Sequence, residues 1–391
     1  MNATHITYIL KPGELSLKGG NREGFERVLM RNLRKLLALR GLEGSGTRAE
    51  GGGGRFFVSC PPEAAPRVED ALNHLFGISG WAGTRSCEKR VESLLAACVD
   101  EGTELYGRGM RSFKVEARRT DKTFPLDSYG IRVRAGDAVR EAVPGLVVDV
   151  RSPQAVIQVE IRERAYVYSM SRPGLRGLPV GTAGRGLLLL SGGIDSPVAG
   201  FRMASRGMGL DAVYFHAFPY TSEEARQKVL RLAEILAAYT LGIRLWTVGF
   251  TEVQQRIKAG VREEWTTVML RMAMMEAAEK LARRTGAKCL VTGDSLSQVA
   301  SQTVENLSCA ESLTRLPVLR PLVGADKEEI IRLARTIGTY ETSILPYEDC
   351  CVLFSPAHPV LRGGVDEAVG YYRQLDLAGE IDRALKNGAR H

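Results

Sequence analysis

The most constraining feature of this chain is the segment 186–197, in which a run of leucines leads into two glycines. The four leucines at 187–190 are bounded by glycines and predict a short strand buried on both faces, as in a parallel sheet. Gly192 and Gly193 predict a sharp turn, followed by a helix at 198–206 with Ser196 as its N-cap and Pro197 at its first position. Backbone N–H groups and the positive end of the helix dipole converge at such a turn. The segment therefore predicts a phosphate-binding loop.

The residues of this loop exclude two common nucleotide-binding motifs. No Lys-Ser or Lys-Thr follows the glycines, as a Walker A motif requires, and the third glycine of a Rossmann fingerprint is missing. The hexapeptide 191–196, Ser-Gly-Gly-Ile-Asp-Ser, resembles instead the PP-loop of enzymes that cleave ATP between the α and β phosphates. Asp195 places a lone carboxylate beside this phosphate cradle, which predicts a contact to Mg²⁺ or a group of the adenylation site.

Composition limits the class of protein. A chain of 391 residues with 44% hydrophobic and 25% charged residues predicts two or three globular domains. No apolar run is long enough to span a bilayer, and the polar N-terminus does not resemble a signal peptide. Seven cysteines without framework spacing favour a reducing, cytoplasmic location. Since there is no Cys-x-x-Cys pair or His/Cys cluster, we expect no metal site built from protein ligands alone.

The net charge of +8 is concentrated in the first part of the chain. Residues 1–174 hold 27 basic against 21 acidic residues, whereas the remainder holds 26 against 24. This surplus suggests a polyanionic partner, most simply nucleic acid. The candidate RNA contacts lie in one short basic segment: Arg111, Lys114, Arg118, Arg119 and Lys122.

The predicted elements divide into three domains. Strand, helix, strand and helix within residues 1–75 predict a ferredoxin-like α+β domain, and a second α+β unit covers 76–172. The first helix is expected from about residue 22 to residue 39, with Val28 and the leucines at 29, 33, 36 and 37 on its apolar face. From 173 to 391, strands near 187–190, 211–215, 243–249 and 289–292 alternate with helices, which predicts a doubly wound parallel sheet. The Pro/Gly-rich stretch 171–179 is interpreted as the linker. The expected fold class is therefore α/β, preceded by two α+β units.

Four motifs in order make the chain similar to the tRNA 4-thiouridine synthetases, the ThiI-type sulfurtransferases. The similarity extends from residue 6 to about residue 360. The first motif is Gly-Glu-Leu-Ser-Leu-Lys-Gly at 13–19, and the second, 113–125, is similar to the core of a THUMP domain, an RNA-binding module. The third is the PP-loop, and the fourth, Thr-Gly-Asp-Ser at 292–295 with its continuation to 303, resembles the second nucleotide-binding loop of that family.

This resemblance implies a reaction and an ATP site. ATP would adenylate O4 of a tRNA uridine, at position eight in the family, and a cysteine persulfide would then displace AMP. Carried over by motif, the ATP-binding residues are Leu189, Leu190, Ser191, Gly192, Gly193, Asp195, Ser196, Tyr214, Phe215, Arg271, Gly293 and Gln302. The implied cofactors are ATP and Mg²⁺, with Asp195 as the candidate metal contact.

The implied sulfur carrier lies in the sequence 347–356. Alignment on Ser355 assigns the catalytic cysteine to Cys351, with Cys350 as the alternative. Glu348 and Asp349 would raise the pKa of a nearby thiol, so we expect a basic neighbour, either His358 or an arginine, to offset them. Because the chain ends 40 residues after Cys351, we expect no rhodanese-like domain and a separate persulfide donor, most simply a cysteine desulfurase. This departure also puts in doubt the role in thiamine-precursor synthesis that some members have.

Two other functions compete with this interpretation. One is a different PP-loop enzyme that adenylates tRNA, such as a 2-thiouridylase or a lysidine-forming ligase, although neither is expected to carry a THUMP-like segment. The other is a non-catalytic THUMP-type RNA-binding protein, which the intact PP-loop disfavours. Apolar surface on the N-terminal unit is compatible with a homodimer, but no residue requires one.

Overall fold

A computed structural model describes residues 5–17, 19–52, 54–347, 356 and 358–391. It divides the chain into two compact units, Met1–Gly177 and Leu178–His391. The domain boundaries expected after residues 75 and 172 remain predictions. None of the described helices is both long enough and apolar enough to cross a bilayer.

The first unit is built on one sheet with strand order β2-β3-β1-β4-β8-β7-β5-β6, and β9 pairs with β4. Its strands are β1 (Ile6–Pro12), β2 (Arg48–Gly52), β3 (Arg55–Cys60), β4 (Ile78–Cys87), β5 (Ser112–Arg119), β6 (Val147–Val148), β7 (Ala155–Ile161), β8 (Ala165–Tyr168) and β9 (Arg172–Pro173). Its helices are α1 (Arg22–Leu39), α2 (Ala65–Asn73), α3 (Val91–Gly107) and α4 (Ser128–Ala142). Strand β4 pairs with β1 along its first half and with β8 along its second, so one long strand joins both α+β parts.

Hydrophobic periodicity predicted several of these elements closely. Helix α1 has its expected bounds, and the leucines of its apolar face at 29, 33, 36 and 37 are buried. The interpretation of 171–179 as a linker is wrong in part, because Arg172–Pro173 forms β9 and pairs antiparallel with β4. A proline is tolerated there because β9 lies off the main path of the sheet, where no second neighbour needs its missing N–H.

The second unit contains a six-stranded sheet of order β14-β13-β10-β11-β12-β15. Its strands are β10 (Arg185–Leu189), β11 (Gly209–His216), β12 (Arg244–Gly249), β13 (Leu290–Val291), β14 (Val318–Leu319) and β15 (Ala389–Arg390). The described helices of this unit are α5 (Asp195–Ser205), α6 (Glu223–Thr240), α7 (Thr251–Gly260), α8 (Thr266–Thr285), α9 (Val304–Glu311), α10 (Lys327–Thr336), α11 (Tyr340–Ser343), α12 (Val365–Leu375) and α13 (Ala378–Asn387). All strand pairs are parallel except β12 with β15, which confirms the expected parallel sheet.

The chain path positions a ligand site at one edge of this sheet. After β10 the chain moves to β11 and β12 on one side, and then crosses to β13 on the other side of β10. Ligands of open α/β sheets bind outside the carboxyl ends of the strands where the order reverses in this way. That position lies next to β10 and β13, whose following loops are the PP-loop and the second predicted nucleotide loop.

At the amino ends of the strands, opposite the ligand site, one buried carboxylate joins three neighbouring strands. Asp211 on β11 is fully buried and accepts hydrogen bonds from Arg185 on β10 and from Arg244 on β12. The distances from Asp211 Oδ1 are 2.8 Å to Arg185 Nη1 and 2.8 Å to Arg244 Nε. This one side chain therefore ties the three central strands together, away from the ligand edge.

We expect the substitution Asp211→Asn to destabilise the protein by about 1–3 kcal/mol, because it weakens charged hydrogen bonds to two arginines, whose side chains are 45% and 38% exposed and can be solvated by water. Urea denaturation would measure the loss. The control Glu234→Gln removes an exposed ion pair with Arg231 and should leave the denaturation midpoint unchanged. An unchanged midpoint for Asp211→Asn would contradict this role.

Candidate active site

A cavity of about 360 Å³ opens at the carboxyl edge of the second sheet. This volume lies within the range typical of small-molecule sites. Ten of the predicted ATP-binding residues line it: Leu189, Leu190, Ser191, Asp195, Ser196, Tyr214, Phe215, Arg271, Gly293 and Gln302. Four parts of the chain distant in sequence are brought together here: β10 with the PP-loop that follows it, the end of β11, helix α8, and the loop that follows β13.

The PP-loop is folded against its own helix by serine hydroxyls. Ser191 N–H donates to Ser196 Oγ over 2.9 Å, and the two hydroxyl oxygens lie 3.0 Å apart. The expectation that Ser196 is the N-cap is wrong, because helix α5 begins at Asp195 with Ile194 at the cap position. Ser196 instead lies in the first turn, where its hydroxyl closes the loop. The first-turn N–H groups of α5 lack intrahelical acceptors, so they remain suited to bind phosphate.

The two predicted glycines of the loop lie between these serines. Gly193 N–H donates to Ser191 Oγ over 3.3 Å, and its carbonyl accepts from Ser343 Oγ over 3.3 Å. Ser343 ends α11 and is buried. Gly192 and Gly193 therefore belong to the loop backbone, whereas the other predicted residues line the cavity.

The second nucleotide loop approaches the PP-loop so closely that only glycine fits. A Cβ atom at Gly293 would lie 2.7 Å from the backbone nitrogen of Ser196 and 2.9 Å from the carbonyl carbon of Asp195. Both neighbours are backbone atoms and cannot rotate away. The contact thus fixes the distance between the two halves of the cavity.

Asp195 is paired with a lysine that the sequence did not single out. Its Oδ1 lies 2.6 Å from Lys327 Nζ, and its Oδ2 accepts from Gln298 Nε2 over 3.1 Å. Lys327 is the first residue of α10, after the N-cap Asp326. A cation in the first turn interacts unfavourably with the positive end of the helix dipole. This unusual placement of Lys327 is the feature of the sequence that could have identified it. The pair brings one positive and one negative group to the rim of the phosphate loop.

A second charge cluster surrounds the buried Asp294, which belongs to the predicted motif but had no role assigned. Asp294 accepts from Arg271 Nη2 over 2.6 Å and from Thr292 Oγ1 over 2.7 Å, while Arg320 Nε lies 3.5 Å away. Burial by itself would raise the pKa of Asp294, but Arg271, Thr292 and Arg320 outweigh burial and lower that pKa below its usual value. Asp294 therefore remains ionised at neutral pH and holds Arg271 at the cavity wall.

The remaining wall of the cavity is apolar and suits a flat heterocycle. Val213, Phe215, Met274 and Met275 line it, and neither methionine was identified from the sequence. Gln302 is buried, and its Nε2 lies 3.5 Å from Asp294 Oδ1. Its Oε1 has no hydrogen-bond partner among the described residues. A buried amide oxygen without a partner is matched to a ligand donor such as the exocyclic amine of adenine.

The two candidate sulfur carriers, Cys350 and Cys351, lie outside the described residues. Among the described cysteines, Cys60, Cys98, Cys289 and Cys309 are buried, whereas Cys87 is partly exposed. Burial raises the pKa of the Cys98 thiol to about 12 and also raises that of Cys289. These thiols are therefore protonated at neutral pH and poor nucleophiles.

The basic residues predicted to bind RNA do not share one face of β5. Lys114 and Arg118 alternate with the buried Phe113 and Val115 and lie on the opposite face from them. Arg119 instead donates to the carbonyl oxygens of Phe124 and Leu126 over 2.9 and 3.1 Å, and so holds the loop that follows β5. Arg111 is exposed, and its guanidinium lies 4.4 Å from the centre of the Tyr106 ring. Lys122 is exposed in the loop.

Together, a parallel sheet with a PP-loop, a closed serine turn and a cavity suited to an adenine nucleotide define a PP-loop nucleotide-binding protein. The chain matches the model of the thiamine biosynthesis protein (ThiI) family over residues 181–377. It also matches the THUMP domain over 88–169 and the ThiI ferredoxin-like domain over 7–82. The chain therefore belongs to the ThiI family, as its four sequence motifs indicated.

Similar proteins cover nearly the whole chain. A probable tRNA sulfurtransferase of Treponema pallidum (strain Nichols) is 48% identical over 98% of this chain and 95% of its own length. One of Caldanaerobacter subterraneus subsp. tengcongensis is 42% identical over 96% of both chains. A crystal structure of a 4-thiouridine synthetase–RNA complex with bound ATP has a TM-score of 0.91 and 36% identity, and the match covers 99% of each chain. The expected order of ferredoxin-like, THUMP and PP-loop parts is thereby confirmed.

We expect Gly293→Ala to weaken ATP binding about 5- to 150-fold, because forcing a methyl group against rigid backbone costs about 1–3 kcal/mol. Isothermal titration with ATP would measure the affinity. Gly324→Ala is the matched control, since a Cβ atom there meets nothing within 4 Å. Equal ATP affinities of the two variants would refute the close-approach argument.

Proposed function

We propose that this chain is an ATP-dependent tRNA sulfurtransferase that forms 4-thiouridine at position 8. The observation that carries the proposal is the single cavity formed by the PP-loop, Arg271, Gly293 and Gln302 in a chain that also has a THUMP domain. The names of the relatives and the bound ATP and RNA in the similar 4-thiouridine synthetase structure support it.

The first step is adenylation of the uracil. The adenine ring packs against the apolar wall of the cavity, and Gln302 Oε1 accepts a hydrogen bond from its exocyclic amine. The first turn of α5, together with Arg271 and Lys327, binds the phosphates. O4 of the uridine attacks the α-phosphorus, N3 of the uracil loses its proton to solvent, and pyrophosphate leaves with the electron pair of the broken P–O bond. Positive groups fixed beforehand around a cavity stabilise the charge that develops on these oxygens.

The second step moves the sulfur. The terminal sulfur of a persulfide on Cys351 attacks C4 of the adenylated uracil, and AMP leaves. The resulting Cys–S–S–C4 disulfide is attacked at its inner sulfur by one thiolate of an external dithiol, which releases 4-thiouridine as its thiolate. The second thiol of that dithiol then attacks its own sulfur in the mixed disulfide, which frees the cysteine thiolate and leaves the dithiol oxidised. Cys350 remains the alternative carrier.

Mg²⁺ would enter with the ATP phosphates. The described residues contain no group of three or more side chains of the type that binds a metal on its own, in accord with the preference of Mg²⁺ for one or two carboxylates plus substrate phosphates. Asp195 is the carboxylate at the loop that fits this role. When bound, the ion would neutralise charge on the phosphates.

The first unit would capture the tRNA through its basic residues, and sulfur would arrive from a separate persulfide donor such as a cysteine desulfurase. A homodimer is part of the same proposal, because Tyr129, Val147, Val148 and Val150 expose apolar side chains on this unit. The location that fits these partners is the cytoplasm.

The reaction can be tested with unmodified tRNA, ATP, a cysteine desulfurase with cysteine, and a dithiol. We expect mass spectrometry of the nucleosides to detect 4-thiouridine. With Cys351→Ser we expect pyrophosphate release but no 4-thiouridine, because adenylation does not need the thiol. The absence of 4-thiouridine with the unaltered protein would refute the proposed function.

Three further variants complete this experiment. Cys87→Ser, at a partly exposed cysteine of the first unit, is the control and should retain activity. Cys350→Ser should also remain active, and the reverse pattern would assign the persulfide to Cys350. Asp195→Ala should lose both pyrophosphate release and thiolation while it retains its affinity for tRNA.

RNA capture can be tested through its salt dependence. Each lost phosphate contact should reduce the slope of log affinity against log salt by about 0.7–0.9. The double substitution Arg118→Gln with Lys122→Gln should therefore lower the slope for tRNA by about 1.5. Filter binding across a salt series would measure it. Arg231→Gln, at an exposed arginine of the second unit, is the control, and equal slopes for all three proteins would contradict the assignment.

A further inference from the structure

Lys228 is a buried lysine on the face of α6, and none of the sequence motifs includes it. The residue is only 7% exposed to solvent. Lysine is rarely buried to this extent unless its ammonium group is bonded, because removing the charge from water is costly. Lys228 Nζ donates to the carbonyl oxygen of Leu345 over 2.8 Å and to that of Tyr347 over 3.3 Å.

The segment that Lys228 binds is not held by apolar burial. Ile344 and Leu345 are 50% and 43% exposed, and Tyr347 is 38% exposed. Their side chains therefore contribute little hydrophobic stabilisation to the path of the chain. Hydrogen bonds to backbone carbonyl oxygens hold the segment instead, and Lys228 on α6 donates two of them.

The same segment begins at the nucleotide site. Ser343, directly before it, donates to the carbonyl oxygen of Gly193 in the PP-loop over 3.3 Å. The chain thus leaves the PP-loop at Ser343 and is bound by Lys228 at Leu345 and Tyr347. Cys350 follows Tyr347 by three residues, and three residues span at most about 11 Å.

The chain that returns after the cysteines is bound to the other half of the site. Asn306 on α9 donates through Nδ2 to Ala300 O over 2.8 Å and to Val360 O over 2.7 Å. Ala300 belongs to the second nucleotide loop, so Asn306 joins that loop to the returning chain. Both ends of the segment that carries Cys350 and Cys351 are therefore bonded to the nucleotide site, one through each of its loops.

We propose that Lys228 is a positioning residue for sulfur transfer: it fixes the chain entering the cysteine pair at the rim of the nucleotide site. This inference rests on the proposed function. Lys228 is not among the residues that line the nucleotide cavity, so we expect its effect to fall on the second step. A displacement of about 1 Å of a reacting group can cost about a hundredfold in rate. Asn306 is a less selective probe because it also holds Ala300.

The test compares Lys228→Met with the unaltered protein in single-turnover reactions, using protein loaded with persulfide and adjusted to equal persulfide content. We expect the first turnover of pyrophosphate release to be unchanged and the formation of 4-thiouridine to slow about 10- to 100-fold. Methionine retains the length of the side chain but cannot donate to the two carbonyl oxygens. Lys228→Arg retains donors and should recover a large part of the rate.

Two further results decide between positioning and a general structural role. Lys280→Met, on α8, is the matched control. It removes an ammonium group that is paired with Glu276 on the same helix and with Asp382 on α13, and it should leave both rates unchanged. If Lys228→Met slows both steps equally or neither, or if Lys228→Arg is as slow as Lys228→Met, the positioning role is overturned. If the unaltered protein forms no 4-thiouridine, the proposed function fails instead. Should Lys228→Met not fold, Lys228→Arg and Lys228→Gln measured in the same way decide the question.

Discussion

The close approach of the Gly293 backbone to the Ser196 backbone is the constraint on which the rest of the site depends. It brings the loop after β13 against the first turn of α5, so the two halves of the nucleotide cavity share one boundary. Asp294 follows Gly293 directly and is thereby fixed, and Asp294 in turn binds Arg271 from α8. Gln302 closes the cavity from the same loop. The absence of a side chain at Gly293 therefore allows the close approach on which the positions of Asp294, Arg271 and Gln302 depend.

Charge is arranged in this site as two separate pairs with different burial. Asp294 is 2% exposed and remains ionised because Arg271 and Arg320 face it. Its pair with Arg271 is rigid and suited to orient a cation toward phosphates without reorganisation. The Asp195–Lys327 pair lies nearer to solvent, with side chains 19% and 42% exposed. This pair can therefore separate at small cost, since its charged groups lie near water.

The cysteine-bearing segment is connected to both nucleotide loops by side chains of the surrounding helices rather than by a hydrophobic core. Ser343, Lys228 and Asn306 all donate to backbone carbonyl oxygens. Such bonds define the path of the described chain at 343–347, while the side chains of Ile344, Leu345 and Tyr347 remain partly exposed. Helix α6 also packs against β11 of the sheet, whereas α9 packs against α8 and α12.

The sequence alone determined the order of elements and the phosphate loop, because these depend on local patterns, whereas the other residues predicted to bind ATP came from the resemblance to a known family. The four leucines, two glycines and Asp195 specify a buried strand, a turn and a phosphate loop within a dozen residues, and the period of α1 specifies its bounds. Tertiary structure alone decided the pairings: Lys327 with Asp195, Arg271 with Asp294, Lys228 with the chain at Leu345 and Tyr347, and Ser196 with Ser191 rather than with a helix cap. These bonds connect residues whose distance depends on strand order and helix packing, and no local pattern encodes that distance.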